Sequence, residues 1–573
     1  MPDLLDTTQP KTIVVVGGVA GGMSCAARAR RLDESANIIV LERGEHVSFA
    51  NCGLPYFVGG EIEDPAALLV QTPASLHAAL ALDVRPGHDV VGLDASQKTV
   101  TVQTADGQQS IGFDALVLSP GAAAFVPPLP GIDSPRVRTL RTVNDATDLR
   151  DMVTGGARRA VVLGAGFIGI EAAEALAAQN LEVTVVELAP QPLPPMEPEL
   201  AWLITEELRQ LGIDLRVGVA AASIEPGIDS DSVVLADGSR VDADMVVVSV
   251  GVRPDTSVFE QAGVACERGA IIVDSHGRTN VPGIWAVGDA TLSVDKVTGA
   301  RRPVALAGPA NRAGRLVADD ILRPDHAREI PQPVGTAIVR VGSLAAALTG
   351  ANRRALVDAG VAFRTLHLHA NQHAGYFPGA AQVHLIVHIA PESGLILGAQ
   401  AVGLEGVDKR IDVLATAIRA GMTVDELIDL DLAYSPPYGQ AKDAVNLTGM
   451  VGENVLNGTL ALWYADDLTE ALDNALVLDV RRADEWVTGH LPGALHIPHT
   501  ELRERIDEVR EHAAGRPVRV MCASGVRSAI AHRVVTQAGM ESASLSGGIL
   551  TLRATLGDRA SELLETEAVL QPV

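Results

Sequence analysis

The chain has 573 residues, too many for one hydrophobic core, so it should divide into about three to five domains of roughly 100 to 200 residues each. Hydrophobic residues make up 47% and aromatics only 3%, with 55 glycines, so the cores must be built of Ala, Val, Leu and Ile, the profile of a soluble α/β protein. With 45 basic against 71 acidic residues the formal charge is −26, which repels phosphate backbones and anionic lipid heads and argues against nucleic acid or membrane as a partner.

The leading MPDLLDTTQP is acidic and polar where a secretory leader needs a basic and then an apolar run. No stretch of about 18 apolar residues predicts a membrane span. The four cysteines, Cys25, Cys52, Cys266 and Cys522, lie far apart, with no CxxC pair and no Cys/His cluster at metal spacing. Free thiols, no metal and a reducing cytoplasm are the expectation.

In chain order, KTIVVVGG (11–18) predicts a buried strand running into glycines, then an alanine-rich helix over 21–32 and a strand NIIVLE (37–42). Its turn reads Gly17-Gly18-Val19-Ala20-Gly21-Gly22, and Glu42 follows Gly22 by 20 residues. Val19 stands where the second glycine of a dinucleotide fingerprint belongs. The loop SFANCGLPYFVGG (48–60) then isolates Cys52. RRAVVLGAG (158–166) repeats the plan, with a helix at about 168–179 and a strand EVTVVE (182–187). Here the fingerprint is complete in Gly164, Gly166 and Gly169, and Glu187 follows 18 residues after the last. Such a turn lets a pyrophosphate approach the helix N-terminus while the acid accepts bonds from ribose hydroxyls. An acid at 187 disfavours a 2′-phosphate, so NADH is expected over NADPH. Two such units predict two dinucleotides, and nicotinamide with flavin is the usual pair for passing a hydride. IWAVGDA (284–290) reads as a return to the first domain. From about 329 to 460 strands such as TAIVRV and VHLIVHI alternate with helices, and a last segment from about 470 has its own strand-helix rhythm.

These motifs resemble the two-dinucleotide flavoprotein disulfide reductases, in particular the single-cysteine branch that holds coenzyme A disulfide reductase, NADH oxidase, NADH peroxidase and the persulfide reductases. GGVAGG with Glu42, SFANCGLPY, GAGFIG with Glu187, GVRPD (251–255), IWAVGDA, LAGPANRAGR (306–315) and HAGYFPGA (373–380) carry the resemblance over about residues 11–460. It implies FAD at Gly17, Gly18, Ala20, Gly21, Gly22, Glu42, Arg43, Asn51, Gly288, Asp289 and Ala307, with Asp289 on the ribityl chain. It implies NADH at Gly164, Gly166, Phe167, Ile168, Gly169, Glu187 and Gly251. Larger relatives carry a CxxxxC pair; here the fifth position after Cys52 is Phe57, so Cys52 would work alone, attacking a disulfide or persulfide as its thiolate. Cys25 and Cys266 read as structural. Peroxidase-like relatives carry a histidine in the first glycine turn, and GGVAGG has none.

By the same resemblance, coenzyme A would lie against Ser24, Arg28, Arg31, Ser48 and Asn51. Arg28 and Arg31 are three apart on one helix face, which is equally the pattern of a solvated basic face. HAGYFPGA and AYSPPYGQAKD resemble segments by which a partner subunit lends tyrosines to the substrate thiol, so Tyr376, Tyr434 and Tyr438 are candidates and a homodimer is implied. Phe377 stands where relatives often have a second tyrosine.

LDVRRADEWVTGHLPGALHIP (478–498), VRVMCASGVRSAIAH (518–532) and LSGGIL (545–550) resemble a rhodanese domain. In Cys522-Ala-Ser-Gly-Val-Arg527, backbone N–H groups and a helix N-terminus would stabilise a thiolate or persulfide, with Arg527 adding positive charge. The resemblances together imply an α/β chain: two Rossmann-like dinucleotide-binding domains (FAD over 1–120 and 252–328, NAD over 121–251), an α+β dimerisation domain (329–462) and a C-terminal α/β rhodanese domain (468–573). The implied activity is NAD(P)H-dependent reduction of small sulfur substrates, namely coenzyme A persulfide, polysulfide or coenzyme A disulfide. A plain coenzyme A disulfide reductase or NADH oxidase, and a flavin-bound sulfur sensor, are the alternatives.

Overall fold

The computed structural model describes residues 10–566. Most of the stretch read for a leader, residues 1–9, and the end of the rhodanese segment, 567–573, lie outside them. The described chain forms two compact units, one of residues 10–190 and 212–335, the other of 191–211 and 336–566.

The first unit holds two five-stranded parallel sheets of one design. In the first, Thr12–Val16 is central, flanked by Asn37–Leu41 and Asp83–Arg85 on one side and by Ala115–Leu118 and Ile284–Ala286 on the other. In the second, Arg159–Leu163 is central, with Glu182–Glu187 and Asp214–Val217 on one side and Met245–Val248 and Val137–Thr139 on the other. Each central strand is a run of β-branched and aliphatic residues with no polar alternation, as a strand covered on both faces requires. Each sheet also gives off a three-stranded antiparallel excursion just before the later strand that pairs with the central one, Asp89–Gly112 before Ala115–Leu118 and Ala221–Ala243 before Met245–Val248. Ile284–Ala286 joins the first sheet, so the expected return of IWAVGDA to the first domain is what the chain does.

The expected helices are present as Ala20–Leu32 and Phe167–Ala178. The first packs on the Ala307–Leu322 helix so closely that a Cβ on Gly314 would overlap the carbonyl oxygen of Gly21. Cys25 is fully buried in that core, and burial with the nearby Asp319 carboxylate pushes its thiol up to about 12, which suits a structural role.

The second unit contains a five-stranded antiparallel sheet in the order Ala337–Val341, Leu344–Gly350, Ile396–Gly403, Gln382–Ile389, Arg364–Asn371. It also holds a five-stranded parallel sheet of Leu462–Trp463, Ser542–Leu545, Val518–Met521, Leu476–Asp479 and Leu495–His496. Period-two alternation on two neighbouring strands brings Thr365, His367 and His369 beside His384 and His388, with His369 opposite His384 and His388 opposite Thr365. Thr365, His367 and His388 are buried and His369 and His384 half-buried: His388 bonds Thr365 Oγ1 and the Glu197 carboxylate, and His369 and His384 meet through their Nδ1 atoms at 2.7 Å.

Burial depresses both members of the facing pair, His384 to about 4 and His369 well below the usual imidazole range, the latter with help from the neighbouring His384 and His367. An unfolded imidazole takes its proton near pH 6.5, while native His384 resists until about pH 4. Stability is therefore full above about 6.5 and is lost as pH falls towards 4, His384 alone accounting for on the order of 3 kcal/mol. Glu199, raised by burial but drawn down more strongly to about 2 by His367 and Arg353, loses its contribution only below the ordinary carboxylate range. The second unit should thus melt at a falling temperature between pH 6.5 and 4.5, followed by calorimetry. A melting temperature unchanged across that window would contradict neutral, buried histidines.

Candidate active site

The two glycine turns superimpose in function residue by residue. Gly17 and Gly164 both have positive φ, +97° and +100°, and a Cβ on either would overlap a carbonyl oxygen, of Ser119 in one turn and Ser249 in the other. A Cβ on the last glycine, Gly22 or Gly169, would overlap the carbonyl of the first, Gly17 or Gly164. The two acids mirror each other as well. Glu42 accepts from the N–H of Gly18 at 2.7 Å and of Gly44 at 2.9 Å, and Glu187 from Ala165 and Ala189, both at 2.7 Å. Val19 therefore occupies the place of Gly166, and there a Cβ on Gly166 would meet nothing within 4 Å. The departure read in the sequence leaves the turn intact.

Cys52 lies on the loop that follows, in a 3-10 turn Asn51–Gly53 leading into the short Leu54–Val58 helix. The loop is tied to the first turn by Ser48 N–H donating to Gly18 O at 2.8 Å, and to its own far side by Ala50 N–H to Leu68 O and Val70 N–H to Ser48 O. Ser48 adopts φ +46°, a left-handed conformation held by these bonds. Cys52 is exposed and free, and Phe57 is buried, so the loop offers the thiol no disulfide partner. Partial enclosure raises the Cys52 thiol, the Glu171 carboxylate raises it further, and Arg141 opposes both.

Arg141 and Glu171 were not among the residues singled out from the sequence. Arg141 also donates to Asp289 Oδ2 at 3.3 Å, where burial raises the Asp289 carboxyl against the pull of that arginine. Glu171 follows the GAGFIG turn and accepts from Tyr56 Oη at 3.3 Å. Gly288 has φ +82° in the turn that presents Asp289, Ala307 begins the Ala307–Leu322 helix, and Gly251 has φ +113° with no atom near its Cβ position. Arg43 is paired with Asp255 of GVRPD at 2.6 Å.

The coenzyme candidates divide. Arg28 donates twice to Asp319 Oδ1, at 2.8 and 2.6 Å, and Ser24 Oγ donates to Asn311, so both face the Ala307–Leu322 helix, while Arg31 is exposed. In the second unit Tyr376, Tyr434 and Tyr438 are 77%, 49% and 74% exposed, the first two with hydroxyls 3.4 Å apart.

Cys522 ends the Val518–Met521 strand, is 1% exposed, and is free. Its Sγ accepts from Gly525 N–H at 3.2 Å and lies 3.4 Å from Ser528 Oγ, which in turn takes a bond from Ser544 Oγ at 2.8 Å. Arg527 is fixed by two 2.6 Å bonds to Glu485, whose carboxyl that bond chiefly pulls to about 2. Ser528 and Glu485 were also missed in the sequence, although the Arg-Ser step after the loop marks the first.

Among the described residues no three His, Cys, Asp or Glu side chains gather as a metal would need, and no helix is long and apolar enough to cross a membrane. Asn51 Oδ1 is buried without a hydrogen-bond partner beside the cysteine, and the open space over Gly166 and Gly251 lies along the second turn. An acceptor awaiting a donor and a vacant backbone approach fit a flavin dinucleotide and a nicotinamide dinucleotide respectively.

Three family profiles match the chain: pyridine nucleotide-disulphide oxidoreductase over residues 11–308, the dimerisation domain of that family over 336–445, and rhodanese-like domain over 464–554. A coenzyme A disulfide reductase of Staphylococcus haemolyticus is 33% identical over 443 residues, 77% of this chain and 98% of its own. The reduced CoADR-RHD of Bacillus anthracis superimposes with a TM-score of 0.94 at 37% identity, covering 98% of this chain and 100% of the other. The NAD-dependent persulfide reductase of A. fulgidus does so at 0.88 and 35%, covering 94% and 99%.

Proposed function

The chain belongs to the pyridine nucleotide-disulphide oxidoreductase family, and from that premise we propose that it reduces sulfur carried on coenzyme A, as persulfide or disulfide, at the expense of NADH. The observation that carries this reading is the coexistence of two free thiols with opposite settings. Cys52 is exposed on a loop tied to the first dinucleotide turn, and Cys522 is buried in a complete rhodanese loop.

In the proposed reaction the Cys52 thiolate attacks the coenzyme-side sulfur of a persulfide, forming a mixed disulfide and releasing hydrosulfide, or attacks coenzyme A disulfide and releases the coenzyme A thiolate. A bound FAD would supply the two electrons, drawn from NADH, that with two protons return Cys52 and coenzyme A to thiols. Asn51, Glu42 and Asp289 are the residues proposed to hold it. Arg141, placed against both Asp289 and Cys52, favours the anionic form of each. Exposed Arg31 is proposed to meet the phosphates, and a phosphate on Arg28 would have to compete with Asp319.

The exposed tyrosines, in a family with a dimerisation domain, support a homodimer in which Tyr376, Tyr434 and Tyr438 of one subunit serve the other's Cys52. The domain boundaries given above, and a cytoplasmic setting that keeps both thiols reduced, belong to the same reading.

The test is one preparation assayed with coenzyme A persulfide, coenzyme A disulfide and oxygen, each with NADH and NADPH. Sulfur substrates should exceed oxygen, and the Glu187 carboxylate should cost NADPH about 1 to 3 kcal/mol, or roughly five- to 150-fold in kcat/KM. Oxygen outrunning both sulfur substrates would make it an NADH oxidase, and NADPH equal to NADH would overturn the role of Glu187.

A further inference from the structure

The loop of Cys522 rests on the segment that leads into the Gly548–Leu556 helix. Ile549 N–H donates to Cys522 O at 2.8 Å and Leu550 N–H to Ala523 O at 3.1 Å, and a Cβ on Gly548 would press on both carbonyls. This supporting segment is held on its other side by the antiparallel sheet. Ser546 Oγ and His367 Nδ1 are 2.8 Å apart, His367 Nε2 and Glu199 Oε1 are 2.8 Å apart, and Arg353 donates to the same Glu199 oxygen at 2.7 Å. Thr551 Oγ1, one turn on, lies 2.8 Å from His369 Nε2.

We propose that His367 is a positioning residue for Cys522, so that a histidine outside the rhodanese sheet governs the sulfur chemistry of that domain through Ser546. The proposal rests on the reading of Cys522 as the carrier of sulfane sulfur. The Glu199 carboxylate only accepts, so Nε2 of His367 carries a hydrogen toward it, and Nδ1 is left to bond the Ser546 hydroxyl, which can serve as donor or acceptor. His367 is 5% exposed at its side chain and Ser546 4% exposed, so neither meets a substrate, and the chain of bonds acts by placement alone. What it places is the backbone beneath the thiol, and with it the Gly525 N–H that faces Sγ. A shift of about 1 Å in such a support costs up to a hundredfold in rate.

Three full-length variants separate placement from packing. His367→Asn keeps a polar atom where Nδ1 was and so keeps the bond to Ser546; His367→Gln keeps only the bond to Glu199; Ser546→Ala removes the hydroxyl with little change of volume. The readouts are the pH midpoint of Cys522 alkylation, followed on its own peptide by mass spectrometry, and the transfer of sulfur from thiosulfate to cyanide. In that reaction Cys522 takes the outer sulfur, sulfite leaves, and cyanide departs as thiocyanate.

His367→Gln and Ser546→Ala should raise the alkylation midpoint and lower transferase kcat about tenfold, with KM for thiosulfate little changed, and His367→Asn should restore both to within about threefold of wild type. NADH-dependent reduction of coenzyme A disulfide should stay level in all three. Wild-type behaviour of Ser546→Ala, or equal damage in the two His367 variants, would overturn the proposal. A wild-type enzyme without transferase activity would instead refute the carrier reading, while the alkylation midpoint would still decide the placement.

Discussion

Cys52→Ser should purify with its FAD and lose NADH-dependent disulfide and persulfide reduction by about a thousandfold or more, because the residue is proposed as the only attacking group and no neighbour can replace it. The loop does not depend on the thiol for its shape. Its fixed points are backbone bonds from Ser48, Ala50 and Val70, and the change from sulfur to oxygen occurs at an exposed position. Flavin content is read from the visible spectrum and activity from NADH consumption with each sulfur substrate. A serine enzyme that turns over either substrate at near the wild-type rate would remove Cys52 from the chemistry.

Cys522→Ser should abolish transfer of sulfur from thiosulfate, a loss of about a hundredfold or more, and slow NADH oxidation with polysulfide donors, yet leave reduction of coenzyme A disulfide nearly intact. The substitution is tolerable although the site is buried, since a serine hydroxyl there finds the Gly525 N–H and the Ser528 hydroxyl already in place. The split between substrates separates two roles for the C-terminal domain. If the variant matched wild type with every sulfane donor, Cys522 would not feed the reductase.

Local signals carried much of this arrangement. A glycine that must adopt positive φ, such as Gly17 or Gly164, and an acid at the end of the next strand, such as Glu42 or Glu187, lie within about 25 residues of one another in the chain, so their spacing is itself the structure. The same holds for Cys522 and Gly525, whose contact closes within four residues. Arg141 and Asp289 meet across 148 positions, and Arg527 and Glu485 across 42, distances over which no pattern in one chain announces a pairing. Arg28 shows the opposite difficulty. Its place on the helix was legible, but not that Asp319, 291 residues away, occupies its guanidinium. The histidines at 367, 369, 384 and 388 look like ordinary strand residues until the strand register sets them side by side.

That row of histidines bears on how such a chain can be inherited. Trp202 lies against Gly557, Tyr464 Oη donates to Thr365 O at 3.1 Å, and His367 and His369 engage Ser546 and Thr551, so the antiparallel sheet and the C-terminal domain share one polar interior. A domain joined by a loose tether can be lost or swapped with no consequence for its neighbour. Here removal of the C-terminal segment would leave the His367 and His369 imidazoles without the Ser546 and Thr551 hydroxyls they now face. The fusion is thus a commitment on both sides of the seam: a lineage that discarded the C-terminal domain would have to rewrite the sheet face beneath it, and a transplanted domain would need His367 and His369 waiting for it.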